Sequence, residues 1–299
     1  MSESPSIETG ADGTKRLPDR PTLGLCICTM NRPEELENCL QSIFRGEELP
    51  DGILVSDDSP DGTATRAVVS RYPDAIYREG PRRGLGANRN ACIQHASADY
   101  LLFLDDDTRV SPDFPRTARE AIASAEPNTV ITGYEIKHER ESARKVTPHN
   151  LDFWGFQRLP VEGEYRSIVI NATIFPRSLF GVARFDERLR YGSEEIDMAH
   201  HAVSLGYRIV YDDRLHVHHY PSPTNRSEYD RYIHASRLYA TAKSYWRYER
   251  SIPKTLAYLF LAPPHLLGSA LKKGDGKSFR DSWRSIVLAS QYLFNYLQT

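Results

Sequence analysis

The carboxylates of this chain are grouped where they could do chemistry. Asp105, Asp106 and Asp107 stand side by side directly after the apolar run Tyr100–Leu104, and Asp57 and Asp58 follow the shorter run Ile53–Val55. One acid at a strand end is also what a helix cap would leave. Three adjacent carboxylates are different, because they repel one another unless a cation neutralises them, and hard oxygen ligands suit Mg²⁺ or Mn²⁺. Asp105 to Asp107 are therefore a candidate metal site. A third polar cluster, Thr29-Met30-Asn31-Arg32, follows the apolar run Leu23–Cys28.

These clusters need a frame that ends several strands on one edge. Leu23–Cys28 reads as a buried strand, followed by a helix over Pro33–Phe44 with Leu36, Leu40, Ile43 and Phe44 on one face. Pro33 suits its first turn. Ile53–Val55 is a second strand, leading through a turn-rich segment to a helix near Thr63–Arg71, and Ala75–Tyr77 a short third. Gly84–Ala96 carries glycines and then a helix, and Tyr100–Leu104 is a continuously apolar strand. Strands alternating with helices predict an α/β fold with a doubly wound, mostly parallel sheet. Ligands of such sheets bind beyond the carboxyl ends of the strands, where the polar clusters collect. After Val110 the order loosens, with strands expected at Thr129–Tyr134, Ser167–Phe175 and Tyr207–Tyr211.

The composition bounds the rest. With 299 residues, 40% hydrophobic and 26% charged, and a net charge of −2, the chain is not disordered, collagenous or a disulfide scaffold. Nor is it a nucleic-acid binder working by bulk charge. Charge is nonetheless uneven: residues 225–299 hold 12 Lys/Arg against 5 Asp/Glu, so an acidic body carries a basic tail. Cys26, Cys28, Cys39 and Cys92 form no C-x-x-C pair and read as reduced and structural, consistent with the cytoplasm. Residues 1–20 are polar, show no signal peptide and are expected to form a disordered leader. Thr255–Leu271 is the most apolar stretch, but Pro263-Pro264 and His265 break it short of the ~20 residues that span a bilayer.

The chain resembles the inverting glycosyltransferases of family 2, which have the GT-A fold. The resemblance rests on an ordered set of segments from about Leu23 to His219: CTMNRPEELENCLQSI, ILVSDDSPDGT, GLGANRNACI, YLLFLDDDTRV, FDERL, GSEEIDMAHHAVSLGYRI and HVHH. It implies a GT-A catalytic domain over residues 21–224 with a helical C-terminal extension over 225–299. It also implies a nucleotide-diphosphate sugar donor, an Mn²⁺ or Mg²⁺ cofactor and a glycan or lipid-linked acceptor. By the same resemblance Asp57 meets the nucleotide base, with Asp58 the alternative because the family's turn is shortened here. Thr29, Asn31 and Arg32 lie near the nucleotide, and Arg89 near the diphosphate with Gly84 and Gly86 allowing close approach. Asp105 sits towards the ribose, Asp106 beside it, and Asp107 holds the metal that His218 closes from the far side. Glu195 matches the catalytic base, with Glu194 the neighbouring candidate. A structural reading of that pair also stands, as first-turn acids capped by Ser193. In an extended HVHH segment, His216 and His218 share one face and His219 takes the other.

Chemistry of this kind departs from a charged diphosphate, so a Lewis-acid cation lowers the barrier, and a carboxylate must take the proton of the attacking hydroxyl. A sugar nucleotidyltransferase shares the architecture but would want a Gly-rich loop after the first strand, which CTMNRPEE lacks. A non-catalytic nucleotide-sugar or glycan-binding module would not need the candidate base. In the tail, Asp281–Leu297 puts Trp283, Ile286, Val287, Leu293, Phe294 and Leu297 on one stripe. That stripe reads either as a face packed on the catalytic domain or a second subunit, or as an interfacial helix on anionic lipid at the inner face of the membrane.

Overall fold

Apolar residues on both faces make the first strand a central one. A computed structural model of the protein describes residues 20–298 apart from 140, 161–162, 223–225, 273 and 275, so the expected leader falls outside it but for Arg20. In β1 (Leu23–Thr29) every residue is buried. Alternation sends Leu23, Leu25 and Ile27 into one core and Cys26 and Cys28 into the other. The first core is covered by α1 (Pro33–Phe44), whose Leu36, Cys39, Leu40 and Ile43 repeat at helical spacing.

The chain continues through β2 (Gly52–Asp57), α2 (Thr63–Val69), β3 (Ala75–Glu79), α3 (Leu85–His95), β4 (Tyr100–Asp105), β5 (Thr108–Val110) and α4 (Phe114–Ser124). Then come β6 (Thr129–His138), β7 (Ala143–Val146), the short pair β8 (Asn150–Leu151) and β9 (Gln157–Arg158), β10 (Thr173–Pro176), α5 (Glu194–Ser204) and β11 (Arg208–His219). The main sheet has nine strands in the order β3-β2-β1-β4-β10-β6-β11-β5, with β7 beside β6. β1 to β4 are mutually parallel, as is β11 with β6, while β10 runs antiparallel to both its neighbours. The four cysteines are buried and unbridged.

Two departures from the sequence expectation matter for the site. Ser167–Phe175 is not one strand: a 3-10 turn at Ile170–Ala172 precedes β10 and turns Asn171 towards the end of β4. In β11 the register against β6 shifts between Tyr211 and His216. Gly133 permits that bulge, because a Cβ there would lie 1.9 Å from the Leu215 carbonyl oxygen. The bulge carries the strand on to His219, alongside β5.

The tail is helical, with α6 (Arg226–Lys243), a π turn at Ser244–Tyr248, α7 (Ile252–Lys272) and α8 (Gly276–Leu297). It has its own aromatic core, built on Tyr239, Tyr245, Tyr258 and Tyr292. The expected single stripe on α8 is split. Ile286 and Leu293 pack inward with Ala289 and Tyr292, while Trp283, Val287, Phe294 and Leu297 are exposed. Among the described residues no helix is long and apolar enough to cross a membrane.

Candidate active site

The carboxyl ends of β1, β2 and β4 open onto a cleft of about 1570 Å³, whose far wall comes partly from the tail. Thr29, Arg32, Asp58, Gly84, Asp105 and Asp107 line it, as the sequence predicts, and His219 joins them.

β4 delivers the three aspartates into three different environments. Asp105 accepts from Arg89 Nη2 at 3.1 Å, and its backbone N–H donates to Asn171 Oδ1 at 2.8 Å. Asp106 turns inward and is fully buried. Thr29 Oγ1 donates to it at 2.7 Å and Arg32 Nη2 lies 2.9 Å away, but burial still pushes its carboxyl up to about 8. Asp106 therefore fastens the first-strand loop and, although expected beside the nucleotide, does not line the cleft. Asp107 faces the cleft, where Arg32 Nη1 lies 3.2 Å from Oδ2 and the Ser222 N–H donates to the same oxygen at 3.1 Å. Burial works against its charge, but His219, Arg32 and Ser222 outweigh it and hold the carboxyl below the usual range.

The histidine beside Asp107 is His219, not His218. Nε2 of His219 lies 3.4 Å from Asp107 Oδ1, and its Nδ1 lies 3.1 Å from Glu135 Oε1. Burial lowers its pKa, yet the two carboxylates together push it up to about 10. His218 points to the opposite face of β11, where its Nδ1 pairs with His138 Nε2 at 2.9 Å. The alternation along HVHH is as the sequence predicts, and the bulge decides which face meets the cleft.

Arg89 is likewise placed differently from expectation. It is buried, and it forks between Asp105 and Glu194, each at 3.1 Å. Burial opposes its charge, but the two acids raise its pKa further still. It does not line the cleft, and it joins the acidic strand end to the acidic helix start. Gly84 has φ +107°, and a Cβ there would come within 3.2 Å of the Arg190 backbone. The close approach it allows is that of the Arg190 segment, and Gly86 similarly meets the Asp186 carbonyl.

The two acids after β2 also divide. Asp57 Oδ1 accepts from the Ser59 N–H at 2.9 Å and its Oδ2 from the Tyr77 hydroxyl at 3.2 Å, so it shapes its own loop. Asp58 accepts from the Arg82 N–H at 2.8 Å and lines the cleft, and burial raises its pKa. Asn31, with φ 56°, donates its N–H to Ser59 Oγ and ties the first two loops together.

At the start of α5, Glu194 is buried against Arg89, and its second oxygen has no hydrogen-bond partner. Glu195 is half-buried and, like Glu194 and Arg89, sits just behind the residues that line the cleft. Desolvation together with the neighbouring Glu194 pushes the Glu195 carboxyl up to about 8. Ser193 has φ 64° and its side chain does not cap the helix, so these acids are not part of a capping arrangement.

Sequence reasoning missed a buried junction in the wall of the cleft. Lys243 Nζ lies 2.7 Å from Asp186 and 2.8 Å from Asp197, Tyr239 donates to Asp186, and Tyr248 donates to Asp197. Burial alone would raise Asp186, but Lys243 and its hydrogen bonds bring it down to about 2. The signal available was a lysine among apolar and aromatic residues at helical spacing in α6.

The sheet order, with aspartates leaving the end of β4 into a cleft, defines a nucleotide-sugar transferase fold of the GT-A type. Residues 25–186 match the family model for glycosyl transferase family 2, and the chain belongs to that family. It is 28% identical over 215 residues to the succinoglycan biosynthesis protein ExoM of Rhizobium meliloti, spanning 67% of each chain. It is 26% identical over 198 residues to GalNAc(5)-diNAcBac-PP-undecaprenol beta-1,3-glucosyltransferase of Campylobacter jejuni, covering 58% of this chain and 57% of that one. A match to an uncharacterized Mycobacterium tuberculosis protein is 35% identical but spans only 30% of that relative. Among solved structures, a mannosyltransferase from Pyrobaculum calidifontis in complex with GDP-Man and Mn²⁺ superposes with TM-score 0.57 at 17% identity, over 93% of this chain and 88% of that one.

Proposed function

We propose that the chain transfers a glycosyl unit from a nucleotide-diphosphate sugar to a hydroxyl of a glycan or lipid-linked glycan, with inversion at the anomeric carbon. The observation that carries this reading is the Arg89 fork, which fixes the cleft-facing Asp105 and Glu194, the neighbour of Glu195 at the start of α5, in one ion network. Transfer needs both a place for the leaving diphosphate and a proton acceptor, and this network ties the strand end to the residue beside the proposed acceptor.

The acceptor oxygen forms a bond to the anomeric carbon as the bond to the diphosphate oxygen breaks. The diphosphate takes that electron pair, and the hydroxyl proton passes to a carboxylate. Glu194 is committed to its ion pair with Arg89. Glu195 has no such clamp, and a carboxyl near pH 8 is well matched to general-base work. Of the two acids after β2 only Asp58 lines the cleft, which makes it the candidate for the nucleotide base.

A divalent cation fits the residues at the cleft wall. Asp107 offers one carboxylate, and His219 would offer one imidazole on giving up the proton it holds against Asp107. Among the described residues no third such group completes a cluster with them. Mg²⁺ and Mn²⁺ are commonly held by few protein groups, with phosphate oxygens and water filling the shell. Such an ion supplies Lewis-acid stabilisation of the departing diphosphate when bound. Two similar proteins support these choices: the Pyrobaculum mannosyltransferase is in complex with Mn²⁺, and the Campylobacter glucosyltransferase is named for an undecaprenol-linked glycan. The unbridged cysteines support a cytoplasmic setting.

The test is a thermal-shift series of nucleoside diphosphates with and without Mn²⁺, because a ligand of the folded state alone raises the melting temperature. Stabilisation that needs both components supports the reading. No stabilisation by any nucleoside diphosphate overturns it.

A further inference from the structure

The apolar side chains of α7 are divided against the usual rule. Its inward face is Thr255, Tyr258, Ala262, Leu266 and Ala270, mostly small residues, while much larger ones point outward. Ile252, Leu256 and Phe260 recur every fourth residue on the exposed side, with Leu256 at 63% and Phe260 at 80% exposure. Packed against α7, α8 exposes Trp283 at 55%, together with Phe279, Val287, Phe294 and Leu297. Scattered exposed apolar residues are ordinary, but two neighbouring helices that both expose such a stripe mark a contact surface.

The charges around that surface select its occupant. α7 contains no acidic residue, and α8 contains only Asp281. Lys272, Lys277, Arg280 and Arg284 gather around the connection between the helices, and the first three have no ion-pair partner among the described residues. Phe279 and Trp283 are interleaved with them. A symmetric contact with a second copy would set these cations against one another, whereas anionic headgroups neutralise them. Neither helix is suited to cross a bilayer, and Pro263-Pro264 interrupts the α7 backbone ladder.

We propose that α7 and α8 form a peripheral docking surface for an anionic lipid bilayer, lying in the interfacial plane with Ile252, Leu256, Phe260 and Trp283 inserted among the acyl chains and the basic connection on the headgroups. None of the four inserted residues lines the cleft, so loss of docking would leave the transfer chemistry untouched.

The experiment is co-sedimentation of the full chain with phosphatidylcholine vesicles with and without phosphatidylglycerol, at low and high salt. The protein should pellet only with the anionic vesicles and dissociate as salt rises. Lys277→Gln and Arg280→Gln should each weaken binding roughly fivefold, and Leu256→Glu with Phe260→Glu should weaken it on the order of tenfold or more. Since these positions are exposed, melting temperature and nucleoside-diphosphate binding should stay at wild-type values, which separates lost docking from misfolding. Failure of the wild type to pellet with anionic vesicles at low salt overturns the proposal, as does equal binding by the Leu256→Glu, Phe260→Glu variant. A dimer by light scattering that this variant converts to monomer, without vesicle binding, assigns the face to a second copy instead.

Discussion

Arg89 and Lys243 are two buried cations, each gripping two carboxylates, and they serve two walls of one cleft. Arg89 acts from behind Asp105 at the sheet edge and Lys243 on the tail side. Arg89 joins Asp105 to Glu194, one of which lines the cleft, and leaves an oxygen of Glu194 without a partner. Lys243 joins Asp186 to Asp197 with both carboxylates further satisfied by tyrosines. A network with every group satisfied is a fastener, and one left incomplete at a cleft keeps capacity for a ligand or a proton. The contrast predicts that damage at the first should appear in turnover and damage at the second in stability.

The sharpest break on the cleft side is Glu195→Gln, which keeps shape but cannot accept a proton. We expect kcat to fall by about 10²–10⁴ with donor affinity little changed, read by steady-state kinetics beside calorimetry. In the intact enzyme a base near pH 8 must lose its proton to work. The rate should therefore climb as pH rises towards 8 and level off above it. On the fastener side, Lys243→Met leaves two buried carboxylates unpaired and should destabilise by roughly 3–5 kcal/mol in denaturant unfolding. Adding Asp186→Asn and Asp197→Asn should recover much of that loss. If Lys243→Met instead melts like wild type but loses turnover, the contrast between the two cations is wrong.

Smaller effects separate the paired acids of β2. Asp58→Ala should weaken nucleoside-diphosphate binding by about 1–3 kcal/mol, whereas Asp57→Ala should act mainly on loop stability, because its oxygens serve Ser59 and Tyr77. Equal loss of affinity in both variants would show that the loop and the ligand cannot be separated. The gentlest prediction concerns acid. Asp186 is depressed to about 2 in the folded protein, so its contribution is fully present above the unfolded value near 4 and disappears as pH falls from about 4 to 2. Stability measured over that range should drop by roughly 2 kcal/mol in the wild type and by less in Asp186→Asn.

Much of this was legible in the sequence because it depended on short-range periodicity. Continuous apolar runs gave β1 and β4, and the 3.6-residue repeat gave the inward face of α1. The abrupt change from LLFL to DDD located the edge of the sheet where the cleft opens. What was illegible depended on contacts between distant segments. No local pattern says that Arg89 is captured by Glu194, 105 residues later in the chain. Alternation separated His218 from His219 correctly, but a bulge set by Leu215 against Gly133 chose between the two faces. On α8, adjacent residues such as Ile286 and Val287 diverge because the seam with α6 falls between them, and periodicity gives a stripe without fixing its edges. Asn171 was hidden because an apolar run was read as one strand when it held a turn.

The missing methyl group at residue 133 has a consequence for how variants of this protein would be diagnosed. Gly133 touches no candidate ligand group, yet the Leu215 carbonyl occupies the space a side chain would need. Alanine there would push the bulge outward and swing the strand end that carries His219. A screen that scored only product formation would record a lesion indistinguishable from loss of the histidine itself. The true cause would be a backbone collision two strand positions upstream of Glu135.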